Sequence, residues 1–428
     1  MKKALTIAAM ILMSVIVTAQ THSWELASKV DSAIALFGVK VQSDYAYTCG
    51  TLSGEFGSHG VIWRTADNGD TWNRVFVVID SNANTNMHAL DFWKDDMGLC
   101  VGNDPYITSS FVGKKAQIWR TTDHGSNWGP LNPIIGGFAE FRTIHDVHTP
   151  WPDLPFAYIA ADDGIVGLSD NRGDTWAFVK LADTLSAVNA VHFITPEVGL
   201  VCNDNGEIYR TNDSGHTWMS VYSSPFFGLN DIHFNGAVGI CAGGASNLIT
   251  SADSGQTWSA LSNPDMDFYN TAYVICPEDI RGAGEDGNEV VYSVDTGASF
   301  MNYLLPSGSG GEWIHKMDFY ESKGMAVGTN GYVIRGNGNE CLNTGIDNPA
   351  TAHNLKLWPN PAENILKISL TDIDIEEVQI YSLEGIRFDF GLQKENSVYQ
   401  LDIRQLPAGI YLIRINKSIA RKFTKIDF

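Results

Sequence analysis

The sequence predicts an all-β protein in which a seven-bladed β-propeller is followed by a small antiparallel β-sandwich domain. A short pattern of the form Thr/Ser-x-Asp/Asn-x-Gly-x-x-Trp, with Phe in place of Trp in the last copy, recurs six times. The glycines of successive copies are 56, 48, 42, 40 and 42 residues apart, which is the length of a four-stranded blade. In addition, 41 glycines and 12 tryptophans with only 18% charged residues favour tight turns between aromatic-anchored strands.

Each copy of the pattern is expected to clasp one hairpin. The acidic or amide side chain accepts backbone N–H bonds two or three residues on, glycine supplies the positive φ of the turn, and tryptophan packs over the hairpin. A catalytic or calcium-binding role is disfavoured, because nearly every blade has a copy and Asn171 keeps the acceptor without the charge. The structural residues of these boxes are Asp67, Asp123, Asn171, Asp213, Asp253 and Asp295.

The last blade needs a strand from elsewhere in the chain. A seventh unit begins at Trp313 but contains no box, whereas residues 23–26 resemble the residues at and after a box tryptophan. The N-terminal strand, carrying Trp24, is therefore expected to complete the last blade and close the ring. Four cysteines at equivalent positions in different blades are interpreted as small core residues: Cys49, Cys100, Cys202 and Cys241. A disulfide is left open for the pair Cys276 and Cys341.

The two ends of the chain differ from the propeller. Residues 1–19 have the charged, apolar and small-residue order of a secretory signal peptide, and nothing later is apolar enough to span a membrane. Residues 20–340 form the propeller, 341–354 a linker and 355–428 the sandwich. The net charge of −21 (28 basic and 49 acidic residues) excludes a nucleic-acid partner, because a phosphate backbone requires a basic face.

Residues 24–340 resemble the Asp-box (BNR) propellers, most closely the photosystem II stability/assembly-factor type. The resemblance is specific for the fold but not for a function, because the same box occurs in sialidases, xyloglucanases and sorting receptors. Sialidases carry an Arg-Ile-Pro segment and an arginine triad. This chain has no such segment, and its three candidate arginines occupy one structural position beside successive boxes: Arg64, Arg120 and Arg210.

The tail resembles the C-terminal sorting domain of the type IX secretion system. The resemblance rests on Leu357-Trp-Pro-Asn-Pro361, Leu406-Pro-Ala-Gly-Ile-Tyr411 and Lys422-Phe-Thr-Lys425. It implies that residues 355–428 engage the secretion machinery after passage through the periplasm. The protein is then released or attached at the cell surface.

Ligands of propellers meet the mouth of the central channel, where the innermost strands begin. Alignment of these strands places six polar residues near their starts: His88, Arg142, Asn189, Asn230, Asn270 and His315. The preceding loops add aromatic residues, among them Phe227, Phe268, Tyr269 and Trp313. Aromatic faces beside amides and imidazoles suit a sugar ring or a partner's apolar side chain, although the same residues could simply fill the seams between blades.

A second set of residues follows the aligned apolar positions: Asp91, His145, His192, His233, Tyr273 and Asp318. No metal site and no cofactor are predicted, since no HExxH or close ligand spacing occurs. The sequence favours a secreted or cell-surface binding propeller without catalysis, recognising a protein or a glycan at the channel mouth. The alternative is a glycoside hydrolase, sialidase- or xyloglucanase-like, that uses Asp91 and Asp318 as its two carboxylates.

Overall fold

The computed structural model describes residues 23–337 and 356–425 with short internal gaps. The predicted signal peptide, Arg142, Asp295, Cys341 and the predicted linker all lie outside the described residues. The gaps are at 32, 55–56, 79–84, 109–110, 132–133, 136–142, 182–185, 225–226, 245–246, 261–267, 278, 286–288, 294–299, 306–311, 359–361, 370–374, 376–377, 383–386, 390–392, 396–397, 408 and 416–418.

Seven antiparallel sheets form the blades of the predicted propeller. Blade 1 consists of β2 (Ala33–Val41), β3 (Ala46–Gly54), β4 (Gly57–Thr65) and β5 (Asn73–Val77). Blade 2 consists of β6 (Asn86–Lys94), β7 (Met97–Thr108), β8 (Phe111–Thr121) and β9 (Gly129–Leu131). Blade 3 consists of β11 (Ile144–His148), β12 (Ala157–Ala161), β13 (Ile165–Ser169) and β14 (Thr175–Lys180). Blade 3 also has a fifth, parallel strand, β10 (Ile134–Ile135), and a 3-10 turn at Asp162–Gly164.

Blades 4 to 6 repeat the same order of four strands. Blade 4 consists of β15 (Val188–Phe193), β16 (Gly199–Asn203), β17 (Glu207–Thr211) and β18 (Met219–Ser223). Blade 5 consists of β19 (Leu229–Asn235), β20 (Val238–Gly243), β21 (Asn247–Ser251) and β22 (Ser259–Ala260). Blade 6 consists of β23 (Tyr269–Cys276), β24 (Asp279–Gly284), β25 (Glu289–Ser293) and β26 (Met301–Leu304). The first strand of each blade is the innermost one and begins at the channel mouth.

Blade 7 confirms that the N-terminal strand closes the ring. It joins β27 (Ile314–Tyr320), β28 (Lys323–Gly328) and β29 (Val333–Asn337) to β1 (Trp24–Leu26), with Trp24 opposite Gly336. Trp24 is 3% exposed and packs edge-to-face on Phe319, with 5.8 Å between ring centroids. The wholly buried guanidinium of Arg281 lies over both rings and donates to the Asn337 carbonyl, so that blade 6 also holds the closing strand.

The Trp24–Phe319 pair repeats the contact that box tryptophans make in other blades. Trp218 lies edge-to-face on Phe193 and Trp258 on Phe234, at 6.0 and 5.7 Å. A glycine on the second strand leaves room for each phenyl ring. At Gly239 a Cβ atom would lie 2.1 Å from Phe234 Cε1, which a folded protein cannot accommodate. Each such unit fills the space between two sheets with close-packed rings.

The described boxes have the clasp geometry. In the first box, Asp67 Oδ1 accepts a hydrogen bond of 2.8 Å from the backbone N–H of Thr71, and Oδ2 accepts one from the Thr71 hydroxyl. The donor is thus four residues on, and not two or three as expected. Asn171 keeps the first of these bonds, at 2.9 Å from the N–H of Thr175. The box glycine Gly69 has a φ of +87°, and the residue before it, Asn68, is also left-handed at +56°.

The arginines beside the boxes do not converge on one site. Arg64 donates to the His124 carbonyl in the next box at 2.6 Å, and Arg210 donates to the Ser254 carbonyl at 2.9 Å. Arg335 of blade 7 likewise donates to the Asn68 carbonyl of blade 1. Each arginine therefore ties its blade to the box turn of the following blade around the outer rim.

The tail is a sandwich of two antiparallel sheets, as predicted. One sheet contains β30 (Lys356–Trp358), β31 (Ile365–Ser369), β35 (Val398–Asp402) and β34 (Gln393–Glu395), and the other β33 (Arg387–Asp389), β32 (Val378–Ser382), β36 (Gly409–Ile415) and β37 (Ile419–Lys425). Alternate residues such as Leu366, Ile368 and Ile413 are wholly buried between the sheets. Within the described residues no helix has the length and apolarity needed to cross a bilayer.

The cysteines divide as the sequence suggested. Four of them are free and buried on the second strands of blades 1, 2, 4 and 5: Cys49, Cys100, Cys202 and Cys241. Their positions are equivalent only in pairs, because Cys49 and Cys202 lie opposite the first residue after the bulge of the inner strand, whereas Cys100 and Cys241 lie opposite the second. Cys276 is disulfide-bonded. The sixth cysteine, Cys341, lies outside the described residues.

Candidate functional site

A β-bulge in the innermost strand of every blade builds the channel mouth. In each inner strand the register with the second strand slips by one residue, and a bulge re-aims the extra side chain. The seven extra residues converge on one cavity of about 260 Å³. They are Phe37, His88, His145, Asn189, Asn230, Asn270 and His315, and Ala89, Asp146, Asp204 and Lys316 complete the lining.

Aromatic rings form one half of this mouth. The phenyl ring of Phe37 lies between two imidazoles, with centroid distances of 5.3 Å to His315 and 5.5 Å to His88. His88 is followed by His145 at 5.7 Å. Burial lowers the pKa of His315 to about 4, so this imidazole is neutral at pH 7. Its Nε2 atom is buried and has no hydrogen-bond partner among the residues that the structure describes.

Carboxamides form the other half of the mouth and link neighbouring blades. Each asparagine donates through Nδ2 to a backbone carbonyl of the next inner strand. The donors Asn189, Asn230 and Asn270 lie 2.8, 2.8 and 3.0 Å from the carbonyl oxygens of Leu229, Tyr269 and Ile314. These amides therefore fill the seams between blades as well as lining the cavity.

Most of the residues predicted for the polar rim line this cavity: His88, Asn189, Asn230, Asn270 and His315. In blade 3 the bulged residue is His145, because Val147 and not Ile144 is the counterpart of Leu90 in blade 2. The alignment slipped by three residues because both apolar side chains are buried and the bulge at His145 between them interrupts the alternation.

Two further aromatic positions differ from expectation. The expected position of Tyr269 at the channel mouth is wrong, because its ring is wholly buried in the core between blades 5 and 6 and does not reach the mouth. Its neighbour Phe268 is 41% exposed instead, and Phe227 and Trp313 are 43% and 45% exposed. Sequence reasoning missed Phe37, although the apolar strand ahead of Cys49 could have placed it by analogy with the strand ahead of Cys100.

A second ring of side chains closes the channel beneath the mouth. It consists of the residues three positions after each bulge: Lys40, Asp91, His148, His192, His233, Tyr273 and Asp318. His148 stacks on His192 at 4.3 Å and His233 stacks on Tyr273 at 3.7 Å. The blade 3 member is His148, so the placement of His145 in this ring is corrected by the same three-residue slip.

The two carboxylates nominated for hydrolysis lie in this second ring. Asp91 and Asp318 are each 6% exposed, and Lys40 Nζ lies 2.9 Å from Asp91 Oδ1 and 3.9 Å from Asp318 Oδ1. Their Oδ2 atoms accept the backbone N–H groups of Thr149 and Val41 in the next blades, both at 2.7 Å. Both carboxylates are therefore engaged between blades, and neither lines the mouth cavity.

The surroundings shift the pKa values of these two carboxyl groups in opposite directions. Burial would raise the pKa of Asp91, but the charge of Lys40 and the hydrogen bond from the Thr149 N–H lower it below its ordinary value. For Asp318 burial prevails and raises the pKa, in spite of Lys40. Opposite shifts suit an acid and base pair in hydrolases. Here one ammonium group lies between the carboxylates, and neither borders the cavity.

The imidazoles of the second ring are held neutral. Burial lowers the pKa of His148 to about 4 and the pKa values of His192 and His233 well below the ordinary value. The Nδ1 atoms of His148 and His233 accept backbone N–H groups of the next blades, at 2.9 and 3.2 Å. In the described part of the chain, no group of three His, Cys, Asp or Glu side chains is arranged to hold a metal ion.

Two family models match parts of the sequence. Residues 168–271 match the model described as photosynthesis system II assembly factor YCF48. Residues 356–426 match the model described as secretion system C-terminal sorting domain. A search of curated protein sequences found no match to this chain.

Solved structures share the propeller fold. YCF48 bound to D1 peptide has a TM-score of 0.54 at 16% identity, covering 74% of this chain and 97% of that one. YCF48 from Cyanidioschyzon merolae has a TM-score of 0.52 at 14% identity, covering 73% and 98%. The WD40 propeller of Doa1 has a TM-score of 0.53 at 11% identity, covering 74% and 98%.

At such identities the structures bear on the fold alone, while the sorting-domain match implies export and a secreted or cell-surface location. The box repeats, the seven sheets and the two family matches agree with one another. The chain thus contains a seven-bladed propeller that is similar to the photosystem II assembly-factor propellers, and a tail that matches the secretion system C-terminal sorting domain.

Proposed function

We propose that this protein is an exported binding module that holds a segment of a partner protein at the mouth of its propeller channel. The observation that carries the proposal is the convergence of seven bulged side chains, one from each blade, on one open cavity. Residues from distant parts of a chain meet in this way only where the fold brings the inner strands together. Cavities of this kind with a few polar groups are typical of ligand sites.

Exposed aromatic residues near the cavity favour a protein partner. Phe227, Phe268 and Trp313 precede the inner strands of blades 5, 6 and 7 and are about two-fifths exposed. Phe227 and Phe268 both approach Gly244, within 3.0 to 3.4 Å of where its Cβ would lie. Clustered exposed aromatic side chains are typical anchors of protein interfaces. The similar propeller YCF48 has been solved with a D1 peptide bound, which supports a peptide ligand by analogy.

The domain order fits an extracellular role. We propose that residues 1–19 direct export to the periplasm and that residues 355–428 are then read by the type IX machinery, with 341–354 as a linker. Residues 20–340 would be the delivered propeller. Release and surface attachment are both consistent with this order.

Site-specific photo-crosslinking of the mature full-length chain tests the binding site. A benzoyl-phenylalanine at position 268 should crosslink to partner proteins on the surface of the producing cells, whereas the same group at position 219 should not. Met219 is the matched control, because it is 72% exposed but lies on the outer strand of blade 4. Equal labelling from both positions would show that the mouth is not the binding surface.

A glycan array probed with the same protein provides the second measurement. Selective glycan capture that is lost in Trp313→Ala, without protein crosslinks at position 268, would replace the protein partner by a carbohydrate. Hydrolysis of a polysaccharide that is abolished by Asp91→Asn or Asp318→Asn would replace binding by catalysis. We expect neither result, because both carboxylates are buried and engaged between blades.

A further inference from the structure

We propose that the mouth cavity receives the guanidinium group of an arginine side chain from the bound segment. This inference rests on the proposed binding function and specifies its ligand. The cavity of about 260 Å³ is large enough for one long side chain but not for a folded element. The partner is therefore expected to be a short segment that inserts a single residue.

The charge of the lining favours a cation. The carboxylates of Asp146 and Asp204 line the cavity, and Asp162 lies 2.8 Å from the ring of His145. Lys316 also lines it, but its ammonium group is 2.7 Å from the carboxylate of Asp231 and is thereby neutralised. A second positive charge would meet an excess of carboxylates.

The loops around the mouth extend this negative field. The mouth lies where inner strands begin, second strands end and third strands begin. Of the residues in these segments whose side chains are described, eight are acidic: Asp31, Asp162, Asp163, Asp204, Glu207, Glu285, Glu289 and Glu312. The basic residue among them, Lys29, is 3.1 Å from Glu312. The hairpin of β7 and β8 adds Asp104, Lys114 and Lys115 by sequence, so acidic residues still outnumber basic ones. A potential of one sign over a concave surface attracts a partner of the opposite sign.

The aromatic half of the mouth distinguishes arginine from other cations. A guanidinium group is planar, stacks on aromatic faces and forms paired hydrogen bonds with carboxylates, whereas an ammonium group is a compact, strongly hydrated charge. Phe37 and the adjacent imidazoles offer flat faces to the same cavity that Asp146 and Asp204 line. The unpartnered Nε2 atom of His315 adds one further polar group for a bound N–H. The imidazole of His315 is neutral at pH 7 and does not repel the cation.

Two tripeptide amides test this proposal on the mature full-length protein: acetyl-Leu-Arg-Leu-amide and the same peptide with citrulline, a neutral isostere of arginine. The leucines are chosen for the exposed rings of Phe227 and Phe268. Titrations followed by ligand-observed saturation-transfer NMR should give about tenfold tighter binding of the arginine peptide, since a charge-assisted bond to a carboxylate is lost in citrulline.

Variants then locate the effect. Asp204→Asn should weaken arginine binding about three- to tenfold and leave citrulline binding unchanged. Asp204 is exposed, and the substitution removes only one charge. Phe37→Leu, which keeps an apolar side chain without a ring, should weaken it as well. Asp153→Asn is the matched control, since Asp153 is 90% exposed at the opposite end of the channel and pairs with Lys94.

Equal affinity for both peptides, absence of binding, or an unchanged affinity in Asp204→Asn would overturn the arginine assignment. A panel of neutral monosaccharides is then added to the same titration, and displacement of the arginine peptide by any of them would also overturn the assignment. Crosslinking at position 268 is measured independently of these peptides. If partners still crosslink there, the binding function stands and the guanidinium ligand alone is wrong.

Discussion

Replacing Trp24 by alanine is expected to destabilise the whole propeller, because this residue belongs to the strand that closes the ring. Its indole is 3% exposed and contacts Phe319 at 5.8 Å and the guanidinium of Arg281 at 5.7 Å. Strand β1 contributes only three residues to blade 7, paired with β29. Few other contacts could compensate for the lost side chain.

The size of the effect follows from burial. Truncation of a buried aromatic residue to alanine costs about 3–5 kcal/mol through lost burial and the cavity left behind. For a propeller of about 315 residues, the usual unfolding entropy per residue gives about 0.7 kcal/mol per degree. A loss of about 4 kcal/mol therefore lowers the melting temperature by about 6 °C.

Differential scanning calorimetry of the full-length protein measures this shift, with the tail transition identified separately. Met219→Ala is the control, because Met219 is 72% exposed and should change the melting temperature by less than about 1 °C. Should Trp24→Ala not fold, Trp24→Phe keeps an aromatic ring and should show a smaller decrease. A melting temperature within about 1 °C of the parent for Trp24→Ala would refute the closure argument.

The other predictions concern the boxes, acid stability and the tail. Asp213→Ala should lower the melting temperature by a few degrees and Asp213→Asn by much less, because the amide keeps the acceptor for the Thr217 N–H; calorimetry that ranks them the other way would contradict the clasp. Hydrogen bonds from the threonine four residues on lower the pKa of Asp67 and Asp213 to about 2. Their stabilisation is thus present above about pH 4 and lost as the pH falls through 2, which melting curves between pH 5 and 2 should show as a decline. Removal of residues 350–428 should leave a folded propeller in the periplasm, and cell fractionation that finds it at the surface would exclude the tail as the address.

The repeats made the architecture predictable. Box spacing, the missing box after Trp313 and the tryptophan at position 24 are local patterns, and each fixes a hairpin or strand whatever the rest of the chain does. The rim residues were predictable only where the inner strands could be aligned. In blade 3 two buried apolar residues, Ile144 and Val147, lie on either side of the bulge at His145, and the sequence does not show which of them matches Leu90 of blade 2.

The sequence by itself determined the fold class, the blade count, the closing strand and the nature of the tail, because these depend on turn chemistry and periodicity within short segments. Only the tertiary structure decided which side chains meet. The bulges that turn Phe37 and His145 into the mouth are shifts of one residue between paired strands, and no local pattern records them. The burial of Asp91 and Asp318 around Lys40 joins blades 1, 2 and 7, which are adjacent only once the ring is closed.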